Sequence, residues 1–409
     1  MKRFIITTFA ISIAAVGIAS AQSHTTESVF REMESVLREI ESVLREIESN
    51  NTTLEALRHS AEAEKLENRT GISLDDPEIG FNYLWGGPAS IGNRQDVSVT
   101  QGFDFGTITG LKNKVANERN ELIEWQYKTE RMSLLLEAKN CCIDLIYWNA
   151  VEDVLDTRLR NAEIVAEEMR KKLEQGAGNR IEYNNARLDL ASVQNAHFKA
   201  HAEQSALLTE LSRLNGGKRI DFTLAQFPNE NFPEDFNLWY SEAESSSPVL
   251  AYVRQEIEVN RKELSLRKTS NLPSLTLGYM GEFTQGERYQ GISFGISVPL
   301  WSNARKIRQA KAAVQAAQSK EIDAKQQFYS KLEQQYTRTA ALRAVAENSR
   351  EYLEDSDNSS LLKKAVEEGE ISVPEYLISL GLYYDAVNRY LEAEREYQKA
   401  FAELSSYRL

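Results

Sequence analysis

From Thr107 to Glu174 the chain contains no proline and one glycine, Gly110, and from Ala304 to Glu368 it contains neither. Proline removes a backbone donor and glycine costs backbone entropy, so a helix has no local reason to stop within such stretches. At 1.5 Å per residue the first would extend about 100 Å, whereas an ordinary globular helix runs about three turns. Leu, Ala, Val and aromatic residues are mixed with charge along both. Helices patterned that way must bury an apolar stripe on neighbours over their whole length. The second stretch is entered from a short segment of different character. Residues 291–298, GISFGISV, alternate apolar with small or polar side chains, as a strand with two unlike faces does, and Pro299 follows.

The sequence is also duplicated. Leu54 aligns with Leu250, Pro77 with Pro273 and Tyr83 with Tyr279, so PEIGFNY corresponds to PSLTLGY. Farther on, QGAGNRIEYNNARLDL (175–190) corresponds to EGEISVPEYLISLGLY (368–383). That places Gly176 on Gly369, Glu182 on Glu375 and Tyr183 on Tyr376. The spacing between copies drifts by about one helical turn along the first long helix. Each copy therefore reads as helix, strand, loop, strand, very long helix, glycine turn and return helix.

The first repeat covers 51–214, with strands near 78–85 and 97–105, a long helix over 107–174 and a return helix over 180–214. The second covers 249–409, with strands near 274–283 and 291–298, a long helix over 304–368 and a return helix over 374–406. Its long helix has a soft spot at DSDNSS (355–360). Residues 215–248, rich in Gly, Asn, Pro, Glu and Ser, form an irregular connector. Residues 1–21 have a basic start, an apolar run and the small-residue signal Ala19-Ser20-Ala21, the pattern of a secretory signal peptide. Residues 22–50 predict an amphipathic helix, in which ESVLREIESVLREIES (34–49) repeats a heptad. That run is too short for a coiled-coil seam and is expected either to lie on a helical wall or to bind a partner.

Formal charge is −13, and becomes −15 without Lys2 and Arg3, a sign that disfavours phosphate contacts and hence nucleic-acid binding. Beyond the signal, no stretch approaches the roughly 18–20 apolar residues of a spanning helix, so the chain is soluble or enters a membrane as β-strands. The strands approach the roughly 9–11 residues that cross a bilayer at a tilt. Leu275, Leu277 and Tyr279 alternate with Ser274, Thr276 and Gly278, and Val97 and Val99 with Ser98 and Thr100. Tyr83, Trp85, Phe103, Phe105, Tyr279, Phe283, Tyr289 and Trp301 gather near strand ends, as aromatic girdles do. Four strands cannot close a barrel alone, and open edges are not tolerated in lipid. If the strands enter a membrane, several chains must pool them.

Taken together, the signal peptide, the duplicated unit, the PSLTLGY and ISVPLW strands and the two long helices resemble the TolC-type outer-membrane efflux proteins. The segment AVEEGEISVPEYLISLGLYYDAVNRYLEAEREYQKAFAEL (365–404) is similar to the branch serving RND-type pumps, including the CzcC/CusC-like group. The resemblance implies a mainly α protein with a small membrane β part. It implies a homotrimer whose chains share a twelve-stranded barrel continued by an α-helical periplasmic tunnel. It further implies a passive duct in the outer membrane of a Gram-negative bacterium, working with a periplasmic adaptor and an inner-membrane pump. Metal cations or small toxic compounds would be the cargo.

On that resemblance the helix-hairpin tips dock the adaptor and form the entrance gate. The residues concerned are Gly176, Gly178, Glu182 and Tyr183 in the first repeat. In the second they are Glu367, Glu368, Gly369, Glu370, Glu375 and Tyr376. An acidic gate residue of the family falls on Glu182 and Glu375. A second acidic position falls on Ile378 and a gate arginine on Ile371, departures from the family pattern. Gly176, Gly178 and Gly369 have a plainer explanation as helix C-cap or tight-turn residues, and Glu375 reads equally well as a solvated residue near a turn.

Other constellations are weaker. His197 and His201 sit at i and i+4 on one helix face, a spacing that can hold a metal, but further ligands are needed and an exposed pair is the plainer reading. Cys141 and Cys142 are adjacent and read as buried small side chains. No nucleophile elbow, phosphate-binding loop or His–carboxylate motif suggests an enzyme or a cofactor. The rival reading is a periplasmic coiled-coil scaffold with hairpins that do not span a membrane.

Overall fold

A computed structural model describes residues 22–88, 91–104, 106–298, 304–355 and 358–409. The expected signal peptide (1–21), Phe105 and Trp301 lie outside the described residues, as does the side chain of Glu367. In chain order the elements are α1 (Gln22–Asn50), α2 (Thr52–Glu67), β1 (Glu78–Leu84), β2 (Arg94–Phe103), α3 (Gly106–Glu174) and α4 (Arg180–Leu214). There follow α5 (Phe236–Ser246), α6 (Pro248–Thr269), β3 (Ser274–Phe283), β4 (Arg288–Ser297), α7 (Ala304–Asp355), α8 (Ser359–Glu367) and α9 (Val373–Leu404). The fold is mostly helical, with one four-stranded sheet in the order β1-β2-β3-β4.

The structure departs from the sequence reading in the strand starts, where β2 begins at Arg94 and β4 at Arg288 in place of 97 and 291, and in two helical segments. The helix expected over 304–368 is two helices, α7 and α8, parted at the Asp/Ser/Asn segment. Residues 356–357 between them lie outside the described residues, and Asn358, which precedes α8, has non-helical backbone and no side-chain cap hydrogen bond. The connector expected to be irregular contains α5. Asp235 starts that helix by accepting from the Asn237 and Leu238 amides at 2.7 and 3.2 Å, a cap that favours helix in a short segment.

The described residues fall into two compact units that cut across the repeats: those of 22–52, 132–239 and 332–409 form one, and those of 53–131 with 240–331 the other. In the first, Val36, Ile40, Val43 and Ile47 give α1 an apolar stripe at helical spacing. It packs on Leu135, Ala138, Cys142 and Leu145 of α3 and on Leu211 and Leu214 of α4. The heptad segment thus spends its apolar face inside its own unit. The connector crosses this unit as a strap held by side chains. Asn149 donates to the Leu224 carbonyl at 2.8 Å, Gln398 to the Pro228 carbonyl at 2.7 Å and Tyr336 to the Pro233 carbonyl at 2.8 Å. Asn149 and Gln398 are buried, so these bonds satisfy groups that water cannot reach.

The second unit holds the sheet and the helices leading to it. Here Gln255 of α6 donates to the Glu118 carboxylate of α3 at 2.8 Å, and Asn68 to Asn120 at 3.0 Å. Among the described residues, no helix is long and apolar enough to cross a membrane.

Candidate functional site

Register divides the sheet into two chemically unlike faces. One cross-strand row runs Ile79–Val99–Tyr279–Ile292. Neighbouring rows on that face hold Gln101–Leu277–Phe294 and Phe103–Leu275–Ile296. The opposite face carries Glu78–Thr100–Gly278–Ser293, Gly80–Ser98–Met280–Gly291 and Asn82–Asp96–Glu282–Tyr289. Period-two alternation in all four strands, brought into phase by the pairing, produces this separation. Among the described residues this apolar face is left open: Ile79 is 75% exposed, Phe294 62% and Ile292 87%. A contiguous exposed apolar patch of this kind marks an interaction surface for lipid or protein.

The polar face is organised by charge. Arg94 bonds the Asp96 carboxylate at 2.7 Å and reaches Glu282 across the strand pair at 3.2 Å. In the β3–β4 turn, Thr284 donates to the Glu287 carbonyl at 3.0 Å. Among the described residues β1 and β4 each have one strand partner, so both edges present unpaired backbone groups.

The girdle candidates are spread by the same register. Tyr83 and Phe283 share the row nearest the hairpin turns, Tyr83–Gln95–Phe283–Arg288. Trp85 lies just beyond, edge-on to Tyr83 with ring centroids 5.6 Å apart. Phe103 stands in the row at the helix end of the sheet. Tyr279 is mid-sheet, and Tyr289 lies on the polar face, where its hydroxyl bonds Glu287. Ile79, Phe81, Ile292, Phe294 and Ile296 dominate the apolar face but were not singled out from sequence. Their alternation is visible in β1 and β4, yet only strand pairing shows that the two runs face the same way.

The two helix tips share one local design. At the first, Gly176 has φ +72° and its amide donates to the Leu173 carbonyl, while Ala177 donates to Lys172. At the second, Gly369 has φ +78°, its amide donates to Val366, and Glu370 donates to Ala365. Both are left-handed glycine C-caps that satisfy the last free carbonyls of a helix. Gly178 is needed for a different reason, since a Cβ there would meet the Leu173 amide nitrogen at 2.8 Å. Three residues past each glycine a polar side chain begins the return helix. Asn179 accepts from the Ile181 amide at 2.9 Å. Ser372 caps α9 in a reciprocal box, with Glu375 accepting from the Ser372 amide at 2.8 Å and its hydroxyl at 2.7 Å.

Those bonds from Ser372, led by the backbone amide, hold the Glu375 carboxyl below its usual range. Glu182 occupies the matching third position of α4. Tyr376 is buried with Leu380 and Tyr384, and Tyr183 packs half-buried beside Ala166, Met169 and Ala186. Glu368 pairs loosely with Lys364 at 3.8 Å, and Glu370 is exposed. Just before the first tip, Arg170 clamps Glu167 and Glu174, and its hydrogen bond lowers the Glu167 carboxyl to about 2. Ile378 is exposed on α9, whereas Ile371 packs against the Tyr376 cluster.

His197 lies 2.9 Å from Asp156 and His201 3.5 Å from Glu152, so each imidazole faces its own carboxylate on α3. Among the described residues, no three His, Cys, Asp or Glu side chains converge as a metal site. Cys141 and Cys142 are both buried and unbridged.

Residues 239–407 match the family model described as outer membrane efflux protein. A curated relative, the alkaline protease secretion protein AprF of Pseudomonas aeruginosa, is 27% identical over an alignment 258 residues long that covers 58% of this chain. The alignment spans 53% of that relative, about half its length. Among solved structures, the Campylobacter jejuni CmeC outer membrane channel superposes with a TM-score of 0.70 at 15% identity, covering 90% of this chain and 85% of that one. The Neisseria gonorrhoeae MtrE outer membrane channel gives 0.67 at 15% identity, covering 90% and 88%. CusC gives 0.66 at 13% identity, covering 90% of this chain and 91% of that one. In sequence over its second half, and in fold over nine-tenths of its length, the chain resembles the TolC-type outer membrane efflux proteins.

Proposed function

We propose that the protein is the outer-membrane channel of a tripartite efflux or secretion system. Three copies pool their strands into one twelve-stranded barrel, and their long helices continue it as a periplasmic tunnel. The duct is passive and gated, is not an enzyme and needs no cofactor; a periplasmic adaptor joins it to an inner-membrane pump. The observation that carries this reading is the sheet. It has an exposed apolar face, a charged opposite face and two open edges, and only closure with other sheets in lipid satisfies all three. Similarity to channel proteins in sequence and fold supports the same conclusion.

At the periplasmic tips, we assign adaptor docking and gating to the glycine turns and to Glu375, three copies of which would favour cations at a narrow point. The pump is of RND type by resemblance, while the protease-secretion relative extends the range of systems to secretion. Planar-bilayer recording tests the function: purified protein should give discrete conductance steps, and a protein that never conducts defeats the proposal. Glu375→Gln should change cation selectivity or closure, and unchanged traces would remove Glu375 from the gate.

A further inference from the structure

Charge is distributed unevenly along this acidic chain. From Leu264 to Gly281 and from Arg288 to Lys320 the sequence contains no Asp or Glu, in a protein whose formal charge is −13. Those stretches hold Arg267 and Lys268 in the last turn of α6, and Arg305, Lys306, Arg308 and Lys311 in the opening turns of α7. All six side chains are exposed. Among the described residues none of the six has a carboxylate at ion-pair distance, whereas Lys112 and Arg119 near the start of α3 are held by Asp104 and Glu263.

The fold does not call for all of these cations. At the end of α6 they complement the negative pole of the helix, which suffices to explain Arg267 and Lys268. At the start of α7 the pole is positive, so Arg305, Lys306 and Arg308 oppose it and lower helix stability. The first repeat builds the same unit with the opposite sign, since the end of α2 carries Glu62, Glu64 and Glu67 beside Lys65. Charge that the helix disfavours and the other repeat omits points to something outside the chain.

Its place identifies the partner. Ser274 and Ser297 are paired across β3 and β4, so the end of α6 and the start of α7 adjoin the same end of the sheet. Lys268 precedes β3 by 6 residues and Arg305 follows β4 by 8. With these strands across the hydrocarbon, the helix ends enter the headgroup layer, which is roughly 5–7 Å deep on each side. Arg305 to Lys311 rises about 9 Å. Arg305, Arg308 and Lys311 also lie away from Ala310 and Ala317, the buried side of α7. We propose that Arg267, Lys268, Arg305, Arg308 and Lys311 form a basic patch that binds the phosphate groups of anionic phospholipid at the periplasmic surface of the membrane. The assignment rests on the membrane reading above and names the lipid chemistry it requires.

The test uses the full-length protein purified from membranes and held in micelles doped with equal amounts of phosphatidylglycerol and phosphatidylcholine. Mass spectrometry counts the lipid retained after size exclusion, and planar-bilayer conductance is recorded on each sample. The protein should retain phosphatidylglycerol in preference, and raised salt should weaken that preference. Each cation neutralised should lower it by roughly five-fold, so Arg305→Gln/Arg308→Gln/Lys311→Gln should abolish most of it. Arg305→Lys/Arg308→Lys keeps the charge and should keep the preference. A conducting protein that retains both lipids equally, or a triple variant whose preference is undiminished, overturns the patch and leaves the channel reading intact. A triple variant with altered ion selectivity and unchanged lipid preference does the same, because the cations then line the bore. A protein that neither conducts nor prefers the anionic lipid overturns both.

Discussion

Lysine scanning across the sheet separates a lipid-facing surface from a wet one. Ile292 sits mid-sheet on the apolar face and is 87% exposed within the chain, while the adjacent Ser293 belongs to the polar face. If the apolar face contacts lipid, Ile292→Lys places a charge near the bilayer midplane at a cost of about 2–4 kcal/mol per chain. At 1.4 kcal/mol per factor of ten, that is a loss of roughly 30- to 700-fold in the folding equilibrium. Ser293→Lys, pointing to an aqueous lumen, should change little. In a protein whose hairpins stay in water, both positions are surface positions, and substitutions there fall within about 0.5 kcal/mol. Guanidinium titration of folding into phospholipid vesicles, followed by tryptophan fluorescence, reads the difference. Equal midpoints for the two variants would refute the face assignment, and with it the reason for placing this sheet in a membrane.

Three further outcomes follow from local geometry. Glu375 has a lowered pKa in the folded chain, so its stabilisation of the α9 start is present at neutral pH and lost as pH falls below the ordinary value of 4.5. Hydrogen exchange at the first turn of α9 should accelerate beyond its intrinsic rate over that interval in the native protein but not in Glu375→Gln. Gln398→Leu leaves the Pro228 carbonyl without its 2.7 Å donor and should destabilise the helical unit by about 1–3 kcal/mol in a denaturant titration. Burial pushes the Cys141 thiol up to about 12 and Cys142 further, so a thiol reagent at pH 8 should label neither until the protein is unfolded.

Much of this architecture is legible in the sequence, because long proline-free stretches, heptad-spaced apolar residues and an internal repeat all act through local or nearly local rules. The glycine caps at 176 and 369 belong to the same class, since a left-handed turn needs glycine whatever surrounds it. Glu375 was readable only in part: its position three residues past Ser372 signals a capping box, while any gate role depends on neighbours that one chain does not contain. The break between α7 and α8 was signalled by DSDNSS, but whether polar residues end a helix or merely face solvent is decided by packing. Tyr289 shows the limit of composition as evidence. An aromatic residue near a strand end suggests a girdle, yet the pairing of β4 with β3 sets its parity and puts it beside Glu282. His197 and His201 likewise looked like a pair from spacing, whereas the α3 carboxylates opposite them engage each ring separately.

Native mass spectrometry of the protein extracted from membranes in detergent would decide whether several subunits share one barrel. A particle of three chains, stable only with detergent or lipid present, is the expected result. A single chain that stays folded in plain buffer, its sheet edges unpaired, would contradict it.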